Sequence, residues 1–168
     1  MAALSDHNAG KLIRIFTGVF EISAEAALPH LEKTKGSIVN TASVSGLGGD
    51  WGMSLYNAAK GAAVNLTRAL ALDIGKSGVR INSVCPSLTR TGMTADMMDD
   101  KKLLAKFAER IPLGRVCEPH EIAAVTAFLA SDDALVTRVT VSNSASELRS
   151  VAIEVVHHQE GQSPVFHL

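Results

Sequence analysis

The 168-residue chain has little cysteine, few aromatic side chains and no excess of either charge. Its two cysteines, Cys85 and Cys117, follow no spacing motif, which favours a reducing compartment over a disulfide scaffold. With 16 basic and 17 acidic residues, nothing indicates a nucleic-acid-binding or membrane-surface protein. The N-terminus lacks the basic, apolar and small-residue succession of a signal peptide. These absences predict a cytoplasmic protein with no nucleic-acid partner.

Long hydrophobic runs are also missing, although 46% of the residues are hydrophobic. No run approaches the roughly 20 apolar residues needed to span a bilayer, so no membrane partner is predicted. A chain of this length suits one domain and can bury a substantial core. We therefore expect a single soluble domain over residues 1–168.

The order of short periodic segments predicts an α/β fold. Two runs with little polar alternation, Ser37–Ala42 and Val79–Val84, are typical of buried parallel strands. Helical periodicity predicts four helices, with Asp99 as the cap of the third: Glu21–Lys35, Asn57–Gly75, Asp99–Arg110 and Pro119–Ser131. Strands that alternate with helices predict a parallel sheet with flanking helices.

The strongest chemical signal lies between Ser43 and Lys60. Tyr56 and Lys60 are four residues apart, so a phenol and an ammonium share one helical face, about 6 Å apart along its axis. Ser43 ends a predicted strand thirteen positions before the tyrosine. A lysine cation beside a phenol favours the phenolate and brings the phenol pKa toward the working range. The spacing indicates a proton-transfer site, although a tyrosine and a lysine one turn apart are by themselves more often a half-buried ring and a solvated charge.

The glycine-rich loop Gly46–Gly52 has two interpretations. A loop between a strand and a helix can hold a phosphate at the helix N-terminus. The dinucleotide fingerprint G-x-G-x-x-G, however, requires glycine at position 51, where Trp51 stands. We therefore expect a loop beside a substrate pocket.

The pattern Ser-x12-Tyr-x3-Lys resembles that of the short-chain dehydrogenase/reductase family. Further matches follow in register: Val79–Pro86, Ser87–Thr91, Leu113–Arg115 and Glu118–Ala123. The first 135 residues resemble the catalytic half of such an enzyme, and residues 136–168 diverge from it. The family's first strand, its phosphate loop and its ribose-selecting residue have no counterpart in this sequence. The resemblance therefore implies an incomplete doubly wound, Rossmann-like sheet.

The resemblance also implies an activity. This is nicotinamide-dependent carbonyl reduction and alcohol oxidation, as in alcohol dehydrogenases and carbonyl reductases, on a small carbonyl or alcohol substrate. Ser43, Tyr56 and Lys60 are the implied catalytic residues. The cofactor would be NAD or NADP, which the sequence does not distinguish. In the family the helix corresponding to Asn57–Gly75 takes part in subunit contacts, which implies a homo-oligomer.

The resemblance assigns further residues to the cofactor. Asn8, in an Asn-Ala-Gly turn, would lie beside the adenosine, while Tyr56 and Lys60 would lie at the nicotinamide ribose. The backbone of Thr89 and the hydroxyl of Thr91 would meet the carboxamide. The alternative for both threonines is that they are ordinary loop residues.

A second function remains open at this point. The chain could be a truncated, non-catalytic relative that acts only by self-association or protein contacts. Intact spacing of the serine, tyrosine and lysine favours the enzyme, whereas the missing phosphate loop favours the remnant. In the tail, His157 and His158 with Glu154 and Glu160 resemble a metal-binding group, but a histidine pair without further ligands is more often solvated, so no metal is predicted.

Overall fold

Three parallel strands form one sheet in the part of the chain that the computed structural model describes, residues 23–134 and 140–142. The strands β1 (Ser37–Thr41), β2 (Arg80–Cys85) and β3 (Thr140–Ser142) lie in that order, with β2 in the middle. Ser37 lies opposite Arg80, so β1 and β2 start at the same end of the sheet. All of β2 except its first residue is buried. The predicted parallel α/β architecture is confirmed.

The described residues also form five helices. They are α1 (residues 23–34), α2 (Ser54–Ile74), α3 (Ala95–Met98), α4 (Lys101–Arg110) and α5 (Pro119–Ala130). Short 3₁₀ turns cover Val44–Gly46, Gly75–Ser77 and Gly92–Thr94. No described helix combines the length and the apolar character needed to cross a bilayer.

The helices α2 and α5 cover opposite faces of the sheet. Cys85, at the end of β2, packs with Ala63 and Val64 of α2. Val84, the residue before it, packs with Leu129 of α5. Because successive side chains of a strand point to opposite faces, the two helices lie on different sides of β2. The sheet is therefore covered on both faces at β2, as expected for a doubly wound fold.

Two predicted boundaries differ from the structure. The helix predicted from Asn57 begins three residues earlier, at Ser54, so Tyr56 lies in the first turn of α2. The predicted cap Asp99 is wrong, because α4 begins at Lys101 and is capped by Asp100. The Asp100 carboxylate accepts hydrogen bonds from the backbone N–H groups of the second and third residues of the helix, both at 3.0 Å. Two other predicted features, the Asn8 turn and the tail histidine pair, lie outside the described residues.

Candidate active site

Ser43 lies just beyond the carboxyl end of β1. The backbone N–H of Ala42 donates to the Val84 carbonyl at 2.8 Å, and that of Val44 donates to the Pro86 carbonyl at 3.1 Å. Strand-like pairing thus continues on both sides of Ser43, which is 7% exposed. Its Oγ accepts a hydrogen bond from the Ser45 N–H at 3.2 Å and caps the turn Val44–Gly46. The serine is therefore fixed at the edge of the sheet.

Tyr56 and Lys60 lie half-buried on consecutive turns of α2. The Lys60 Nζ lies 5.8 Å from the centroid of the Tyr56 ring, so the predicted shared face exists. The same Nζ donates to the carbonyl of Thr41 at 2.9 Å. Lys60 thus reaches from α2 to the last residue of β1, two positions before Ser43. The three predicted catalytic residues consequently belong to elements that meet at this end of the sheet.

A glycine brings the Ser43 turn into contact with α2. A Cβ atom at Gly46 would lie 2.5 Å from the carbonyl carbon of Lys60, 2.6 Å from its oxygen and 2.8 Å from the nitrogen of Gly61. Such distances are far shorter than van der Waals contact, so any side chain here would have to displace backbone. The absence of a side chain at position 46 therefore sets the spacing between the serine-bearing turn and the helix of Tyr56 and Lys60.

The end of β2 adds a buried thiol beneath this site. Burial lowers the pKa of Lys60 below its usual 10.5, an effect that the charge of the Cys85 thiolate would oppose. Burial also raises the pKa of Cys85 above 9.0, and the neighbouring polar groups of Ser83 and Ser43 oppose this effect only in part. A thiol with a raised pKa is a poor nucleophile at neutral pH. Cys85 is therefore a neutral, buried neighbour of the lysine.

The loop that carries Thr89 and Thr91 is held by Thr94. The Thr94 Oγ1 donates to the Thr89 carbonyl at 2.6 Å and accepts a hydrogen bond from the Thr91 N–H at 3.0 Å. Thr91 in turn caps the turn Gly92–Thr94, and Thr89 forms a parallel bridge with Cys117. Sequence reasoning missed Thr94, although threonines three residues apart have the spacing of a reciprocal cap.

A cavity of about 140 Å³ opens at the carboxyl end of β2. Its lining is mostly apolar and includes Cys85, Pro86, Ile111, Leu113, Cys117 and Ile122. In open parallel sheets, ligands bind in the crevice outside the carboxyl ends of the strands. The position of the cavity therefore agrees with a ligand site. The described residues contain no group of three or more side chains that could hold a metal ion.

A second feature that sequence reasoning missed is a cluster around Asp50. The Asp50 carboxylate accepts hydrogen bonds from the Ser45 hydroxyl at 2.6 Å and from the Arg110 guanidinium at 2.5 Å. Its backbone carbonyl accepts from the Asn57 side-chain amide at 2.8 Å. A local signal existed, since Asp50 carries the sole ionisable side chain of the loop Gly46–Gly52. Its partner Arg110 lies 60 residues away, beyond the reach of any spacing argument.

Comparison with known proteins identifies the family. The family model described as enoyl-(acyl carrier protein) reductase matches residues 4–142, which include the predicted catalytic residues. The meso-2,3-butanediol dehydrogenase of Serratia marcescens is 70% identical over 108 residues, which are 64% of this chain and 42% of that protein. The chain belongs to the short-chain dehydrogenase/reductase family. The predicted resemblance is confirmed, and this family member spans less than half the length of the Serratia relative.

Solved oxidoreductases share the fold of this short-chain dehydrogenase/reductase. A 4-hydroxyisoleucine dehydrogenase complexed with NADH is 28% identical, with a TM-score of 0.79 over 87% of this chain and 62% of that chain. An NADPH-bound short-chain oxidoreductase from Pseudomonas aeruginosa PAO1 is 26% identical, with a TM-score of 0.76 over 90% of this chain and 61% of that chain. The predicted Rossmann-like fold is confirmed.

Proposed function

We propose that the chain carries the catalytic part of an NAD- or NADP-dependent dehydrogenase that acts on a secondary alcohol of a small vicinal diol. The observation that carries this proposal is the hydrogen bond from Lys60 to the Thr41 carbonyl. It holds the Tyr56 and Lys60 face of α2 against the end of β1, where Ser43 lies. The 70% identity to a meso-2,3-butanediol dehydrogenase supports the substrate class.

Each of the three residues has a distinct role in this proposal. In alcohol oxidation, the Tyr56 phenolate accepts the proton of the substrate hydroxyl, and the Ser43 hydroxyl donates a hydrogen bond to the same oxygen. The Lys60 cation stabilises the phenolate. In carbonyl reduction, Tyr56 returns the proton to the carbonyl oxygen. A nicotinamide cofactor bound here would supply the hydride acceptor for alcohol oxidation and the hydride donor for carbonyl reduction.

The described residues fit the nicotinamide end of such a cofactor. An ammonium has three N–H donors, and the Thr41 carbonyl uses one of those of Lys60, so a further donor can serve a ribose hydroxyl. Thr89 pairs with Cys117, and this cysteine lines the cavity at the end of β2. Structures of relatives with NADH and with NADPH support both dinucleotides as candidates. Asn8 and Thr91 remain predicted contacts of the same cofactor.

Two further predictions concern the assembly and the location of the protein. A homo-oligomer that associates through α2 and a cytoplasmic location remain predictions from the sequence. The similarity to dehydrogenases favours the enzyme over the non-catalytic relative, so we propose only the enzyme.

The decisive experiment measures cofactor binding and turnover separately on the full chain. Calorimetry with NADH and NADPH tests binding, and the absorbance of the reduced nicotinamide follows the oxidation of meso-2,3-butanediol, with butan-2-ol as the single-alcohol comparison. We expect binding of at least one cofactor and a clear preference for the diol. Tyr56→Phe should lower kcat by about 10²–10⁴-fold, because it removes the acid–base group, and should leave cofactor affinity nearly unchanged. Unchanged turnover in Tyr56→Phe would refute the proposed roles.

A further inference from the structure

We propose that Asp50 and Arg110 are a positioning pair that fixes α4 and the cavity wall to the turn after Ser43, and that this pair sets the affinity for the substrate. The inference rests on the proposed function. Neither residue touches the reacting groups in this proposal. Both act through the backbone segments that they join.

The pair connects three elements through one residue, Asp50, by its carboxylate and its backbone carbonyl. The two oxygens of the Asp50 carboxylate are divided between Ser45, in the turn after Ser43, and Arg110, the last residue of α4. The Asp50 carbonyl binds Asn57, the residue after Tyr56. A single aspartate thus joins the serine-bearing turn, the first turn of α2 and the end of α4.

Burial distinguishes this pair from two other ion pairs, Arg90–Glu118 and Arg115–Glu121. The Asp50 side chain is 11% exposed and that of Arg110 is 28% exposed. In the Arg90–Glu118 and Arg115–Glu121 pairs, every side chain is at least 33% exposed. Solvent-exposed pairs contribute little because water and salt screen them, whereas removal of one partner of a shielded pair leaves an uncompensated charge. The Asp50–Arg110 pair is therefore better suited than these two to hold elements together.

The connection to the substrate runs through Ile111 and requires that the substrate extend from Ser43, Tyr56 and Lys60, which do not line the cavity at the end of β2, into that cavity. This residue directly follows Arg110, is 3% exposed and lines the cavity at the end of β2. The same cavity is lined by Cys85, which packs in one buried cluster with Ala42, the residue before Ser43. A shift of Arg110 would therefore move one wall of the cavity relative to the catalytic serine. Such a shift weakens binding more than it slows chemistry, because Ser43, Tyr56 and Lys60 keep their own contacts.

The chain contains its own reporter for this pair. The guanidinium of Arg110 lies over the ring of Trp51, 5.2 Å from its centroid, and Trp51 is the sole tryptophan in the sequence. A cation over an indole at this distance interacts with its π system. The intrinsic emission of Trp51 therefore follows the position of Arg110 without any need for activity.

The experiment compares four variants of the full chain: Asp50→Asn, Arg110→Gln, the double variant and Arg110→Lys. The matched control is Lys106→Gln, which removes an exposed cation from the same helix. Each protein is measured for kcat and KM with meso-2,3-butanediol, for its melting temperature and for Trp51 emission.

We expect each of the two single neutral variants to raise KM about tenfold, which corresponds to about 1.4 kcal/mol, while kcat changes by less than about threefold. The double variant should be no worse than either single variant, because both remove the same interaction. Arg110→Lys keeps the cation and should largely restore KM. Trp51 emission should change in Arg110→Gln and Asp50→Asn but not in Lys106→Gln.

Several results would overturn the inference. Additive effects of the two substitutions on KM, or unchanged KM, would show that the pair does not act as a unit. A fall in melting temperature and kcat with unchanged KM would show a merely structural role. If Arg110→Gln fails to fold, the KM and Trp51 emission of Asp50→Asn, compared with those of Arg110→Lys, decide. If the parent protein does not oxidise the diol, the proposed function fails and the claim about substrate affinity fails with it, whereas non-additive melting temperatures together with the emission change would still support the joining of α4 to the turn after Ser43.

Discussion

The two ends of the sheet satisfy their polar groups in different ways. At the amino end, Arg80 of β2 donates from Nη1 to the carbonyls of Leu129 and Ala134 at 2.7 and 3.0 Å. Its Nη2 donates to the carbonyls of Ser131 and Ala130 at 2.9 and 3.4 Å. Ser37 of β1, opposite Arg80, donates to the same Leu129 carbonyl at 3.2 Å. One guanidinium thus caps the carbonyls at the end of α5, where a cation is also favoured by the helix dipole.

The carboxyl end leaves its polar groups less well compensated. Burial lowers the pKa of Lys60 and raises that of Cys85, so both are held in an environment that disfavours their charged forms. The Asn57 Oδ1 is buried without a hydrogen-bond partner among the described residues. A glycine is required at position 46 to let two backbones approach. Desolvated ionisable groups of this kind are concentrated at functional sites, so we expect the amino end to contribute stability and the carboxyl end to carry the chemistry.

The largest effect on activity is expected for Lys60→Met, at the carboxyl end of the sheet. Under the proposed function, removal of the cation should lower kcat by about 10²-fold or more, because the proposed acid–base group Tyr56 loses its neighbouring positive charge. In the parent protein the pKa of Lys60 is below 10.5, so the cation is lost at a lower pH than that of a free lysine, and activity should fall on the alkaline side before pH 10.5. A pH–rate profile measures both effects.

The sign of the stability change provides an independent check on Lys60. Because its folded-state pKa is lower than the unfolded value of 10.5, the unfolded chain binds more protons, and this group makes stability rise as pH increases toward 10.5. Above pH 9.0 Cys85 makes stability fall as pH increases, because its folded-state pKa is raised.

Cys85→Ala keeps the lysine and is the matched control for the pH–rate profile. Its activity should still fall on the alkaline side, as in the parent protein. If Lys60→Met also retained that fall in activity, the lysine would not be its source.

Gly46→Ala should damage activity and stability together. The added Cβ would lie 2.5 Å from the Lys60 backbone, so the serine turn and α2 must separate. Overpacking of this kind lowers the free energy of unfolding by about 1–3 kcal/mol. We expect kcat to fall as well, even at temperatures where the variant is still folded. Gly75→Ala is the control, since a Cβ there meets nothing within 4 Å. Equal effects of the two substitutions on kcat would contradict the close approach at Gly46.

The strand end, the turn and the helix start at the carboxyl end of the sheet could be predicted from the sequence, because they are close together along the chain. The spacing of Ser43, Tyr56 and Lys60 follows from one strand, one turn and the start of one helix, and each has a strong local pattern. The strand periodicity likewise predicted β1 and β2 to within one residue.

Contacts between distant segments could not be predicted in the same way. The pairing of Asp50 with Arg110 and of Arg80 with residues 129–134 depends on how α4 and α5 pack, and no local pattern encodes that packing. Asp99 and Asp100 are adjacent and both are good caps, so composition does not choose between them. The backbone at the start of α4 makes the choice, because the carboxylate of Asp100 reaches two free N–H groups.

Arg80→Gln, at the amino end of the sheet, should lower stability without an effect on activity. The substitution leaves several carbonyls at the end of α5 with weaker or absent partners, next to the buried Leu129. A hydrogen bond to a charged group contributes about 1.5–3 kcal/mol, so we expect a loss of about 2 kcal/mol in the free energy of unfolding, measured by chemical denaturation. The kinetic constants of the remaining folded protein should be unchanged. A selective fall in kcat would contradict the division between the two ends.

The smallest effect is expected for Glu121→Gln, at the exposed start of α5. Arg115 donates to both oxygens of this carboxylate, at 2.6 and 2.8 Å, and the Glu118 backbone N–H also donates to it, so the pKa of Glu121 is lowered to about 2. A lowered folded-state pKa gives stability that is present above the unfolded value of 4.5 and is lost as pH falls toward 2. Because the pair is exposed and screened by salt, the substitution should barely change the melting temperature at pH 7, and the small difference from the parent protein should shrink as pH falls below 4.5. A difference in melting temperature that grew on acidification would show that the ion pair opposes folding. A large fall in melting temperature at pH 7 would show that the carboxyl end of the sheet also contributes strongly to stability, which would contradict the difference between the two ends.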